Sequence, residues 1–509
     1  MFENQPKALY ALALANTGER FGYYTMIAVF SLFLRANFGL SGDTAGLIYG
    51  VFLALVYFLP LVGGIMADKF GYGKMVTIGI IVMFAGYLFL SIPLGGGLMG
   101  YAAMFGALLL VSLGTGLFKG NLQVMVGNLY DAPELSAKRD SGFSIFYMAI
   151  NIGALFAPTA AVRIKEWAEH SLGYSGNDAY HFSFAVACVS LIVSMMIYYA
   201  FRSTFKHVEA GAGKSKKTDT AGTEEELTPQ QTKERIVALC LVFAVVIFFW
   251  MSFHQNGLTL TFFADEFVSP KSEGVQTMAF DVINLVMIIF MIYSLMSFFQ
   301  SKTSKAKLIS TVVFLAAVGV LVYKYHNIGG PVDVSAPIFQ QFNPFYVVAL
   351  TPVSMAIFGA LAAKGKEPTA PRKIAYGMII AGSAYLLMVL ASRGLLTPNE
   401  QAAAKAAGET VPFASGNWLI GTYLILTFGE LLLSPMGISF VSKVAPPKYK
   451  GTMMGGWFVA TAIGNLLVSV GGFLWNDIPL TIVWSVFIVL CLLSAGFMFL
   501  MMKRLEKVA

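Results

Sequence analysis

The sequence predicts an all-α polytopic membrane protein, two six-helix bundles with one additional helix pair, on three observations. Of 509 residues, 57% are apolar and 12% charged, against about 25% charged in ordinary soluble domains, and the mean hydropathy is +0.71. The apolar residues come in runs of about 20, the length that crosses a hydrocarbon core. Lysines and arginines gather in alternate loops between those runs. A soluble enzyme is excluded. Cys188, Cys240 and Cys491 all sit in apolar runs without metal or redox spacing, so no disulfide framework, metal site or cofactor is expected.

Taken in order, the runs place fourteen spans near 8–38, 43–67, 75–95, 99–127, 143–164, 180–201, 236–263, 279–300, 308–325, 343–363, 374–392, 417–441, 452–475 and 480–502. The first begins at Lys7 with an Ala-rich run to Ala15 that resembles a secretory signal. That run is about eight residues, at the lower limit of a signal core. The helical pattern continues through Tyr23, Tyr24 and Phe30 without a turn residue, which favours a first span.

Cytoplasmic loops retain positive charge. With the N-terminus inside, the outer loops of the 34 lysines and arginines hold only Arg35, Arg163, Lys165, Lys271, Lys324, Arg393 and Lys405, and Arg20 and Lys119 lie within spans. Both termini are therefore expected in the cytoplasm. The +7 net charge reads as topology, and no nucleic-acid partner is expected.

Residues 202–235 are rich in Lys, Glu, Thr and Gly without apolar periodicity, the composition of a solvated linker. They divide the chain into an N-terminal bundle, 1–201, and a C-terminal part, 236–509. Six spans precede the linker and eight follow. Six plus six is the pattern of transporters built from two repeated halves around a midplane site, so a pair at about 279–325 reads as an insertion.

An ionisable residue at the centre of a span costs about 2.5 to 3.5 kcal/mol on insertion scales, and such residues face water or protein and carry function. The sequence has Glu19 and Arg20 in span 1, Lys119 in span 4, His254 in span 7 and Glu430 in span 12. Neighbours on a helix point about 100° apart, so Glu19 is expected to pair with Lys119, leaving Arg20 free for an anion. Helical spacing extends these charges into polar stripes: Asn16, Arg20, Tyr23 and Tyr24; Ser112, Thr115, Lys119 and Gln123; Tyr423, Thr427, Glu430 and Ser434. Three such helices can line a cavity with cations on one wall and an anion on the other, a complement to a zwitterion. The alternative is a neutralised network that holds the halves together. His254 suits a proton carrier by its ordinary pKa near 6.5 but could equally be a packing residue. Gly63, Gly64, Gly114 and Gly116 would allow close helix packing, and Asp68 would act structurally beside a turn at Gly71.

Motifs in order along nearly the whole chain resemble those of the proton-dependent oligopeptide transporters, a branch of the major facilitator superfamily. GERFGYY from Gly18 is similar to the span-1 signature ExxERFxYY, and GGIMADKFG from Gly63 to the superfamily's helix 2–3 loop. GTGLFKGNLQVMVGNLYD from Gly114 and RDSGFSIFYMAINIGALFAP from Arg139 resemble the family's spans 4 and 5. FWMSFHQNG from Phe249, QQFNP from Gln340, and GELLLSPMGISFVSKVAP with GTMMGGWF from Gly429 and Gly451 complete the series.

The resemblance implies a major facilitator fold alternating access to a central site. No nucleophile–base–orienter set or metal-ligand cluster is visible in the sequence, so no enzymatic activity is expected. The resemblance also implies symport of di- and tripeptides with protons; a bacterial inner membrane is the default location, and a monomer is the expected state. Carried over at matching positions, Arg20, Tyr23, Tyr57, Lys119 and Asn151 would bind substrate from the first half, and Asn343, Glu430, Ser434 and Trp457 from the second. Glu19, Arg20, Lys119 and His254 would couple protons, and Asp68, Gly64 and Gly71 would serve conformation. Asn16 stands where the family usually has glutamate, and Thr25, Met26 and Ile27 stand where many members carry a basic residue. His254 stands where relatives often have a carboxylate. Glu19 and His254 are expected to carry the proton that Asn16 cannot. The other readings are an uncoupled peptide facilitator, a carrier of another small zwitterion, and a peptide sensor.

Overall fold

The computed structural model describes residues 5–136, 139–210, 227–446 and 449–508. Lys138, Lys448 and residues 211–226 of the linker lie outside them. The first half runs α1 (Lys7–Phe38), α2 (Gly42–Phe70), α3 (Tyr72–Leu90), α4 (Leu98–Asn128), the short α5 (Pro133–Ser136), α6 (Arg139–Leu172) and α7 (Tyr180–Ala200). The second runs α8 (Pro229–Phe253), α9 (Thr259–Phe267), α10 (Val282–Gln300), α11 (Ser304–His326), α12 (Phe342–Ala363), α13 (Ala370–Ala391), α14 (Pro398–Ala406), α15 (Asn417–Val444), α16 (Lys450–Leu466), α17 (Ser469–Phe473) and α18 (Leu480–Val508). A two-stranded antiparallel ribbon, β1 (Lys271–Ser272) and β2 (Val332–Asp333), joins the two ends of the α10–α11 excursion.

Thirteen stretches among the described residues are both long and apolar enough to cross a membrane. The expected fourteenth is α1, which is 32 residues long but falls outside that set because Asn16, Glu19 and Arg20 occupy its middle. Its length comes from packing on α6 and α7. The linker also begins and ends differently from the sequence reading. Thr228 and Gln231 form a capping box that starts α8 at Pro229, so residues 229–235 are helix. At the other edge Arg202 grips Glu209 through Nε and Nη2 at 2.8–3.0 Å, holding the chain against the start of α3.

Two expected single spans are broken, and the breaks face each other. The span expected at 236–263 divides at a 3₁₀ turn over His254–Gly257, and that at 452–475 divides between α16 and α17. Gln255 joins them: its Nε2 donates to Val468 O at 3.0 Å and to Met251 O at 3.2 Å, while its Oε1 accepts from Thr259 at 2.8 Å. Backbone freed inside a membrane must find such partners, and where it does it marks a cavity wall.

The two halves meet most closely at the end away from the chain termini. There α2 lies against α16 and α17, with glycines where no side chain fits: a Cβ on Gly472 would fall 2.5 Å from Gly42 O, and one on Gly50 2.8 Å from Leu466 O. Arg35 on α1 pairs with Glu266 on α9, and Trp475 Nε1 donates to the same carboxylate at 3.2 Å. Thr159 bonds Gln341 at 2.9 Å, and Gln340 donates to Ala28 O at 3.1 Å. Helices α10 and α11 pack on each other, with α10 resting on α12 and α6. Tyr293 of α10 donates to Val348 O at 3.1 Å. Only 11% of the most apolar stretch of α11 is buried, so the pair sits at the periphery.

Candidate functional site

The charged residues of the spans converge between the halves, but their pairing differs from the expectation. Arg20 Nε and Nη2 donate to the two oxygens of Glu19 at 2.5 and 2.6 Å. Lys119 therefore does not neutralise Glu19, and Arg20 is not the free cation. Adjacent residues do point apart along the helix, but a long guanidinium side chain can fold back, and a bidentate ion pair favours that in a low dielectric. Both side chains are essentially excluded from solvent. The guanidinium also lies 4.6 Å above the Tyr23 ring, which stacks on Phe52.

Lys119 is the available cation. Its Nζ sits 4.2 Å over the ring of Tyr57 on α2, a cation–π contact, and it forms no ion pair among the described residues. Beyond Tyr57, at 5.9 Å between ring centres, lies His254, stacked on Trp250 at 5.2 Å and 20°. Lys119, Tyr57 and His254 thus form a chain of contacts from the first bundle to the second. Its middle member is half-buried.

The opposite wall is built on Glu430. Asn343 Nδ2 donates to its Oε2 at 2.9 Å and to Thr427 Oγ1 at 3.0 Å, fixing the carboxylate from α12. Glu430 makes no ion pair among the described residues, and Tyr24, Tyr57 and Tyr147 lie within electrostatic range of it. Ser434 follows one turn later, half-buried. Trp457 is buried against Gly437, where a Cβ would fall 1.9 Å from the indole, and meets Phe243 edge-on at 6.4 Å. Asn151 donates to Tyr147 O at 3.0 Å, one turn back along α6.

Several sequence expectations are corrected. Thr115 turns to Met83 Sδ at 3.3 Å and Tyr423 bonds Asn256 O at 3.0 Å, so both leave the polar stripes for neighbouring helices. Gly63, Gly114 and Gly116 do sit at helix contacts, but a Cβ on Gly64 would meet nothing within 4 Å; it lies on the other side of α2 from Gly63. Asp68 accepts from Tyr72 at 2.7 Å across the turn at Gly71, whose φ of 97° favours glycine. Asn16 is buried with its Nδ2 unpartnered.

The sequence reading did not single out Glu266, Trp475, Thr427 as a partner of Asn343, Tyr147 or Asn465. Glu266 reads as an ordinary span-end charge, and only its distant partner Arg35 reveals the cross-bundle pair. A polar residue in a glycine-rich apolar run was the available signal for Asn465.

The model of the POT family matches residues 73–221 and 324–483, well over half of the chain. The protein belongs to the POT family. It is a multi-pass membrane transporter of that family. Dipeptide and tripeptide permease B of Xenorhabdus bovienii is 27% identical over 92% of this chain and 86% of its own length. The Di-/tripeptide transporter of Lactococcus lactis subsp. cremoris is 29% identical over 92% and 89%. A crystal structure of the peptide transporter POT in complex with sulfate superposes with a TM-score of 0.73 at 22% identity, covering 100% of this chain and 96% of that one, a likeness of fold.

Proposed function

We propose that this POT-family member is a proton-coupled symporter importing di- and tripeptides by alternating access across a bacterial inner membrane, with its termini cytoplasmic. The observation that carries the reading is the separation of Lys119 and Glu430, a cation and an anion on different bundles, neither of which forms an ion pair among the described residues. A peptide is a zwitterion of matching sense: its carboxylate end faces Lys119, which rests on the Tyr57 ring, and its amine faces Glu430. Charged termini supply orientation, and aromatic walls accept varied side chains. The names of the permeases that this chain resembles support the same substrate class.

Binding a ligand across the halves favours the conformation in which both walls reach it, and symport requires proton and peptide to favour the same transition. With Arg20 held by Glu19, the groups left to exchange protons beside substrate are Glu430 and His254. A peptide amine at Glu430 and a proton on His254 both alter the charge balance between the bundles. Closure of the far end by Arg35–Glu266 and the glycine seam gives the gate that must open for loading from that side.

Uptake of labelled dialanine into proteoliposomes, with an inward proton gradient and a protonophore control, tests the reading. Accumulation abolished by the protonophore is the expected result. His254→Gln is expected to abolish accumulation while retaining counterflow. Equilibration indifferent to the gradient would favour the uncoupled facilitator that buried Asn16 suggests, and absence of uptake would overturn peptide as the cargo.

A further inference from the structure

His254 is not alone in its pocket. Asn465 on α16 is fully buried within hydrogen-bonding range of the imidazole, yet neither its Nδ2 nor its Oδ1 reaches the geometry of a formed hydrogen bond. The Nδ1 of His254 and the Nε1 of Trp250 are likewise buried and unpartnered. Buried polar atoms are normally satisfied, so four such atoms on three neighbouring residues call for an explanation. The backbone brings them together: a Cβ on Gly464 would fall 2.9 Å from Trp250 Cβ and 2.6 Å from Ile247 O.

We propose that Asn465 is the positioning partner of His254, its carboxamide donating to the neutral imidazole and turning to accept from the protonated one, so that the proton on His254 is registered on α16. This rests on the reading of His254 as a proton carrier and names the residue through which that proton acts. A carboxamide holds donors and an acceptor on one rotor, so it can serve both protonation states of one ring nitrogen by a half turn. A hydrophobic side chain there could serve neither state.

The position gives the turn a consequence. Asn465 O and Leu466 O are the atoms that a Cβ on Gly50 of α2 would meet, at 3.2 and 2.8 Å, so the residue that answers His254 also forms the seam between the halves. The charged and titratable groups facing the imidazole are few. From α4 there is Lys119 and from α2 Tyr57; α16 contributes no charge there. Tyr385 of α13 and Cys491 of α18 bond Ser252 instead. A proton on His254 therefore adds positive charge opposite Lys119 across the Tyr57 ring.

The test is a pair of pH titrations on the full-length carrier. The first follows gradient-driven dialanine uptake; the second follows fluorescence of Trp250, taken as the difference from a Trp250→Phe protein, because its indole stacks on the imidazole. Asn465→Asp is expected to raise both midpoints by about one pH unit, since a carboxylate within about 4–6 Å favours the protonated ring. Asn465→Ala is expected to lower both by about half a unit, because the bond lost by the charged ring is stronger than the one lost by the neutral ring, and it supplies the test where the Asp variant does not fold. Unmoved midpoints in folded Asn465 variants, with His254→Gln abolishing the fluorescence titration, would overturn the role of Asn465 alone. A His254→Gln carrier that still accumulates substrate would overturn the underlying reading.

Discussion

The two sets of charges inside the spans are handled in opposite ways. Glu19 and Arg20 form a closed bidentate pair on one helix, both nearly inaccessible. Lys119 and Glu430 stand on different bundles, each held by an uncharged neighbour: the Tyr57 ring for the first and Asn343 for the second. A buried pair with bidentate geometry recovers part of its desolvation and stays in place because separating it would leave two uncompensated charges. Charges held apart by aromatic and amide groups retain their attraction for a ligand that carries both signs. The same formal charge thus serves structure in one place and recognition in the other.

Breaking the closed pair should have the largest effect. Glu19→Ala leaves a guanidinium buried without compensation, for which about 3–5 kcal/mol is the usual cost. The expected result is little folded carrier, read by size-exclusion chromatography and thermal unfolding in detergent. Comparable stability with the parent would show that Arg20 finds another anion, and the contrast with Lys119 would fall.

Opening the second set should spare the fold and remove the function. Lys119→Gln and Glu430→Gln are expected to reduce dipeptide uptake about 100-fold, the scale for losing one side of a charge-assisted contact, with unfolding temperatures close to the parent's. Asn343→Ala should cost about 10-fold in uptake through loss of the bond that orients Glu430. A loss from Asn343→Ala equal to that from Glu430→Gln would make Asn343 a direct ligand.

The gate pair should matter least. The Arg35 side chain is 29% exposed and that of Glu266 16%, and partly exposed ion pairs contribute about 0–1 kcal/mol. Arg35→Gln is therefore expected to change uptake less than about 5-fold. Cross-linking of cysteines placed at the α1 and α9 ends would read the accompanying shift toward the open far end.

Reading from residues reached the spans because hydropathy is local: the bilayer forces each crossing segment to satisfy its own backbone and present apolar side chains. The exception, α1, shows the limit of that signal, since its polar middle is supported by α6 and α7 rather than by lipid. The residue types of the candidate site were legible in the same way, as helical stripes through Lys119 and Glu430. Partners within it were not. Thr115 and Tyr423 share those stripes yet bond to neighbouring helices.

What the sequence by itself determined is therefore the order of the apolar segments, the loops that carry positive charge, and the residue types available for a dipolar site. Tertiary structure decided that Arg20 closes on Glu19 and leaves Lys119 over Tyr57. It also decided that α8–α9 and α16–α17 break opposite each other at Gln255, and that Asn465 meets both His254 and the α2 seam. Insertion energies are summed residue by residue along the chain. Pairing depends on distance through space, and in a low-dielectric interior an ångström or two determines which charges satisfy each other and which await a ligand.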